Sequence, residues 1–141
     1  MSDEYRRPAA TTDEVVAAVG KVTEALEWVE RARGRLYDVH QMMGHADVLY
    51  GEAAEALAEA GCDDEAALIR REVVGRNVLD GRWTFQVVDE FDDSYYEPVR
   101  ATERHVRDRL VAGRRHVYEA GLKYARRTNG HPDHSRRPAA H

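Results

Sequence analysis

The residues best suited to chemistry lie between positions 75 and 96. Five of the eleven aromatic residues, Trp83, Phe85, Phe91, Tyr95 and Tyr96, fall within fourteen positions, directly after a glycine-bracketed run carrying Arg76, Asn77 and Arg82. Aromatic walls beside a few convergent donors line many small-molecule sites, and arginine next to a loop amide suits a carboxylate or a phosphate. Arg76, Asn77, Arg82, Trp83 and Tyr96 are therefore the candidate anion-binding set. The plainer alternative is that the rings plug the end of a helical bundle while Arg76 and Arg82 pair with neighbouring acids.

A second candidate set combines His40, Asp47 and Glu103. His40 and Asp47 share a helix face at a spacing of seven, and Glu103 is the one charged residue on an apolar stripe running from Tyr96 through Val99, Val106 and Leu110 to Tyr124. A buried carboxylate requires a partner, so these three would form a one-metal or acid–base site if the helices align them. An arginine such as Arg33, or His40 acting as a simple donor, is the competing partner for Glu103. None of the seven histidines follows a glutamate by three residues, so the di-iron bundle pattern is missing, as is the His-Glu-x-x-His pair of zinc proteases. Asp89, Glu90, Asp92 and Asp93 lack calcium-loop spacing and simply precede a helix whose positive end favours acids.

A third set is cationic. Arg100, Arg104, Arg107 and Arg114 are spaced by four, three and seven, which places them on one helix face where they could track nucleic-acid phosphates. No recognition-helix motif accompanies them. Cys62, the single cysteine, can make neither an internal disulfide nor a cysteine zinc site, in keeping with a reducing compartment. A phosphate loop, a dinucleotide fingerprint and a nucleophile elbow are all absent. No motif names a cofactor.

The elements that must position these residues are helical. Positions 15, 22, 29, 36, 43, 50 and 57 read Val, Val, Val, Leu, Met, Tyr, Leu, and positions 18, 25, 32, 39, 46, 53 and 60 read Ala, Ala, Ala, Val, Ala, Ala, Ala. Two apolar rows at seven-residue spacing predict one long helix, with Arg33, Gly34 and Arg35 the place for a bend or a break, and a stripe that needs partner helices. Thr11 and Glu14 have capping-box spacing at its start. Gly61 ends it, and Asp63, Asp64 and Glu65 open a helix reaching about Val74. Residues 75–81 read as a loop and 82–93 as a short helix. Ser94 and Glu97 form a second capping box, with Pro98 tolerated in the first turn of a last helix that runs to about Arg127.

Length and charge bound the whole. The 141 residues suffice for one domain, expected over 11–127, between a flexible arm at 1–10 and a disordered basic tail at 128–141. Residues 1–98 carry 10 Lys or Arg against 22 Asp or Glu, while 99–141 carry 11 against 4. The two parts should attract each other, within one molecule or between two. No apolar run is long enough to span a membrane and no secretory pattern opens the chain, so the expected address is the cytoplasm. Arginine outnumbers lysine by 19 to 2, as a GC-rich coding sequence would give.

The run from Val74 through Gly75, Arg76, Asn77, Val78, Leu79, Asp80, Gly81, Arg82, Trp83, Thr84, Phe85 and Gln86 to Glu90, with Tyr95 and Tyr96 beyond it, resembles a family of small uncharacterised cytoplasmic proteins of high-GC bacteria. The resemblance covers most of 15–127. It implies no activity, only that the central segment is a family trait. Together these readings predict an all-α protein: an elongated antiparallel bundle with a long N-terminal helix, a short helix hairpin and a long C-terminal helix. Its expected role is assembly, as a coiled-coil homo-oligomer or with a helical partner through the 15–60 stripe, and not catalysis. Anion or metal binding and nucleic-acid binding are the alternatives.

Overall fold

The structure is a computed structural model and describes residues 4–138. Positions 1–3 of the expected arm and 139–141 of the expected tail lie outside the described residues. All regular segments are helical, and among the described residues no strand forms. Helix α1 spans Asp13–Glu59, α2 Asp63–Glu72 and α3 Thr84–Phe91; a π-helical turn, Asp92–Tyr96, leads into α4, Glu97–Val111, and α5 spans Val117–Arg126.

The start of α1 lies one residue from the expected cap. Thr12, not Thr11, accepts a hydrogen bond from the Val15 amide at 3.3 Å, and Asp13 and Glu14 occupy the first turn, where the helix dipole favours them. The helix then runs unbroken through Gly34. It ends as glycine allows: Gly61 is left-handed, and the Cys62 amide reaches back to the Leu57 carbonyl at 2.8 Å. In the 75–83 connection, Leu79 and Arg82 exchange two backbone hydrogen bonds around left-handed Gly81. The Trp83 amide donates to Gln86 and opens α3.

Two expectations about the C-terminal helix are corrected. Ser94 is not a cap; its hydroxyl donates to the Glu90 carbonyl inside a continuous helical path, and the Glu97 amide bonds the Asp92 carbonyl five residues back. Pro98 explains the widened turn, because it lacks an N–H and its ring crowds the carbonyl four residues earlier. Nor does one helix reach Arg127. α4 stops at Val111, Ala112 and Gly113 both turn left-handed, the Gly113 amide closes on the Arg107 carbonyl at 3.0 Å, and α5 begins after left-handed His116.

The chain forms two compact units. One joins the residues up to Trp28 with those from Val99 onward; the other is Val29–Pro98. The first has a small core of Val16, Val19, Val111 and Val117, flanked by Val15 and Val106. The second buries Ala54, Ala66, Thr84, Val88 and Tyr96. Within it, Arg33, His40 and Asp47 of α1 meet Asp92, Thr84 and Gly75 in turn, so the two stretches run in opposite directions.

The heptad rows need the largest correction. The alanine row faces solvent at 18, 25, 32, 39, 53 and 60, and only Ala46 is half-buried. In the first row, positions 15, 22, 29, 36 and 57 are half-buried, whereas Met43 and Tyr50 are exposed. The seam is instead shared with the row Val19, Leu26, Arg33, His40, Asp47 and Ala54, each buried or half-buried. Alanine follows helix propensity wherever it sits. Polar residues can occupy a seam when a specific partner satisfies them.

Two glycines of α1 give a sharp test. A Cβ on Gly20 would lie 2.9 Å from the Tyr118 Cβ, an atom fixed to the α5 backbone, whereas one on Gly34 meets nothing within 4 Å. Alanine gains about 1 kcal/mol of helix propensity at either site, but overpacking costs about 1–3 kcal/mol at the first. Thermal unfolding should show Gly34→Ala raising Tm and Gly20→Ala lowering it.

Candidate functional site

The polar members of the α1 seam are individually satisfied. Arg33 forks onto Asp92, Nε to Oδ1 at 2.8 Å and a terminal nitrogen to Oδ2 at 3.1 Å. Its guanidinium also lies 4.3 Å from the Tyr96 ring centroid and 5.1 Å from that of Tyr37. Tyr96 is buried and donates its hydroxyl to Glu30 at 2.6 Å. Two turns further along the seam, His40 Nδ1 lies 2.7 Å from the buried Thr84 hydroxyl. Asp47 then accepts the Gly75 amide at 2.8 Å. The π-helical turn is what brings both Asp92 and Tyr96 to Arg33, since a wider turn changes which side chains share a face.

The predicted metal set is not assembled. His40 and Asp47 are engaged as above, in the Val29–Pro98 unit. Glu103 belongs to the other unit, 6% exposed, where it accepts from Arg107 Nε at 3.0 Å and from the Thr23 hydroxyl at 3.2 Å. Arg107 also donates to the Gly113 carbonyl at 2.8 Å and so ties off the end of α4. Neither Arg33 nor His40 is the partner of Glu103. The i,i+4 spacing of Glu103 and Arg107 was the signal for the pair, and Thr23 carried none. Among the described residues no group of His, Cys, Asp and Glu could hold a metal ion.

The predicted anion set is also turned inward or dispersed. Arg76 pairs with Glu72, bonding its carbonyl at 3.2 Å and lying 3.7 Å from its carboxylate. Arg82 pairs with Glu90, Tyr96 serves Glu30, Trp83 is half-buried at the start of α3, and Asn77 is exposed. This is the arrangement in which local acids occupy the arginines. Of the acids at 89–93, Asp92 is taken by Arg33 and Glu90 by Arg82. The arginine stripe is broken up as well. Arg107 is committed to Glu103, and Arg114 lies beyond the end of α4, donating to the Arg6 carbonyl. Arg100 and Arg104 remain on the exposed side of the helix.

What the structure does present is an apolar face on α1. Ala32, Val39, Met42, Met43, Leu49, Tyr50 and Ala53 are all exposed along it, with half-buried Ala46 in their midst. Met42 is 68% exposed and both Val39 and Leu49 are 50% exposed. Spaced by three and four, these residues form one continuous stripe beside the seam. Single exposed apolar residues are ordinary, but a contiguous row marks an interaction surface.

No protein-family model matches this chain, no curated protein is similar to it, and no solved structure matches its fold. Among the described residues no helix is long and apolar enough to cross a membrane.

The hydrogen bonds from Arg33 hold the Asp92 carboxyl below its ordinary range, and Asp92 in turn raises the Arg33 guanidinium. A carboxyl with a depressed folded-state pKa adds stability that is present above its unfolded value, about 3.9, and is lost as pH falls through the folded value. Asp92→Asn should therefore be less stable than wild type at neutral pH. That gap should close as the pH is taken below about 4, as followed by denaturant titration at a series of pH values.

Proposed function

We propose that this chain is a non-enzymatic assembly protein of the cytoplasm, in which two copies pair through the exposed apolar face of α1. The observation that carries the reading is the row of exposed apolar residues from Val39 to Ala53 around half-buried Ala46, anchored by Val39, Met42 and Leu49. The face contains two heptad rows, Ala32, Val39, Ala46 and Ala53, and Arg35, Met42 and Leu49. That is the pattern of a coiled-coil seam distinct from the one used inside the molecule. On this reading the intramolecular helices form an antiparallel bundle, and the second copy adds a helix to it.

Charge along the flank selects the direction of pairing. The adjacent row reads Arg31, Asp38, His45 and Glu52. If Ala32 of one copy faces Leu49 of the other and Val39 faces Met42, the copies run antiparallel. Arg31 then meets Glu52, and Asp38 meets His45. Parallel pairing would set each of these charges beside the apolar residue five positions on, Leu36, Met43, Tyr50 or Leu57, with no charge partner. Flanking charges commonly decide such orientation.

Sedimentation or light scattering at two concentrations tests the reading. Wild type should show a concentration-dependent dimer, and Met42→Glu combined with Leu49→Glu should be a monomer with unchanged helical circular dichroism. Glu52→Arg should weaken the dimer, and adding Arg31→Glu should restore it. A wild-type chain that stays monomeric at its highest soluble concentration contradicts the proposal.

A further inference from the structure

Helix α5 borders a groove of about 550 Å³. The groove lies between the segment carrying Tyr5 and Arg6, the helix α5 and the stretch around Arg136, all in the unit that begins again at Val99. Its size is that of an ordinary small-molecule site. Arg6, Lys123, Arg136 and His116 line it, together with the rings of Tyr5 and Tyr124. Arg7 also borders it but is committed to Asp13. The one carboxylate on the wall, Glu119, sits 3.5 Å from His116 Nδ1. Among the described residues no carboxylate lies within ion-pair distance of Arg6 or Lys123.

The aromatic contribution is equally specific. The Tyr124 ring carries the Arg136 guanidinium at 5.1 Å from its centroid and that of Arg127 at 4.5 Å. The Tyr5 ring lies 6.3 Å from His116. Among the described residues, Arg127 Nε at this end of α5 is buried without a hydrogen-bond partner. Tyr124 is itself 54% exposed. An inorganic anion or an acidic peptide would engage the cations and leave the ring faces as they are. A ligand with a phosphate and a planar base uses both.

We propose that this groove binds a nucleotide unit, with the phosphate between Arg6, Lys123 and Arg136 and the base stacked on a tyrosine ring. The same chemistry is offered by a free mononucleotide and by a residue of a single strand. The residues involved are separate from the α1 face, so this inference does not depend on self-association.

Calorimetric titration of the full chain tests it with adenosine 5′-monophosphate, adenosine, inorganic phosphate, a short oligodeoxyadenylate and polyglutamate. The monophosphate or the oligonucleotide should saturate, at least about tenfold more tightly than adenosine or phosphate alone, with affinity falling as salt rises. Saturation by the monophosphate assigns a free nucleotide, and saturation by the oligonucleotide alone assigns a single strand; either supports the site. Lys123→Ala keeps the helix, and Arg6→Glu lies outside every helix, so folding is preserved in both. Lys123→Ala and Arg6→Glu should each weaken binding about tenfold. Repeating the titration on the Met42→Glu, Leu49→Glu variant separates this site from pairing. The proposal is overturned if neither nucleotide probe saturates, if phosphate or polyglutamate binds as tightly, or if Arg6→Glu and Lys123→Ala bind like wild type.

Discussion

Three polar side chains, Arg33, His40 and Asp47, occupy successive heptad positions in the seam of α1, where hydrophobic packing alone would favour leucine. Each is expensive there unless matched, and each is matched by one particular group: the Asp92 carboxylate, the Thr84 hydroxyl and the Gly75 amide. Apolar contacts are nearly indifferent to a shift of one helical turn, whereas a hydrogen-bonded pair is not. The polar row therefore sets how far along α1 the returning chain docks within the Val29–Pro98 unit. Glu103 plays the corresponding part in the other unit, with Arg107 and Thr23 around it.

Local backbone features follow from that arrangement. Pro98 removes one donor and widens the turn before it, and the widened turn presents Asp92 and Tyr96 together to Arg33. Arg107 reaches both Glu103 and the Gly113 carbonyl, so the same side chain neutralises a buried acid and closes α4. Groups that might have served chemistry in isolation, such as His40, Asp47, Arg82 and Glu103, are spent on internal partners. The apolar face of α1 and the cationic groove beside α5 use none of these groups.

The all-α class, the unbroken α1 and the glycine stops at Gly61 and Gly75 were legible in the sequence, because periodicity, capping acids and left-handed glycines act over a few residues. The seam was not. Hydropathy ranks an alanine row above a row of Arg, His and Asp, but alanine's helix propensity suits it to exposed helix faces as well as to the core. The polar row becomes a seam only through partners 28 to 59 positions away, which no local pattern reveals. The end of α4 was hidden for a related reason. Gly113 fits an apolar stripe as readily as it fits a stop, and hydropathy does not show the Arg107 side chain, six residues earlier, that closes on its carbonyl. The candidate site residues were chosen by type, and the groove at Tyr5, Lys123, Tyr124 and Arg136 was missed because it draws on both ends of the chain.

The claim that polar matching sets the register can be tested in one measurement. Replacing Arg33, His40 and Asp47 together by leucine enlarges the apolar seam while removing all three matches. An amide proton–nitrogen correlation spectrum of that variant should show a chain that is still helical but gives broadened or multiple signals for residues 75–96, as several registers interconvert. A single sharp set of signals at wild-type positions would contradict the account.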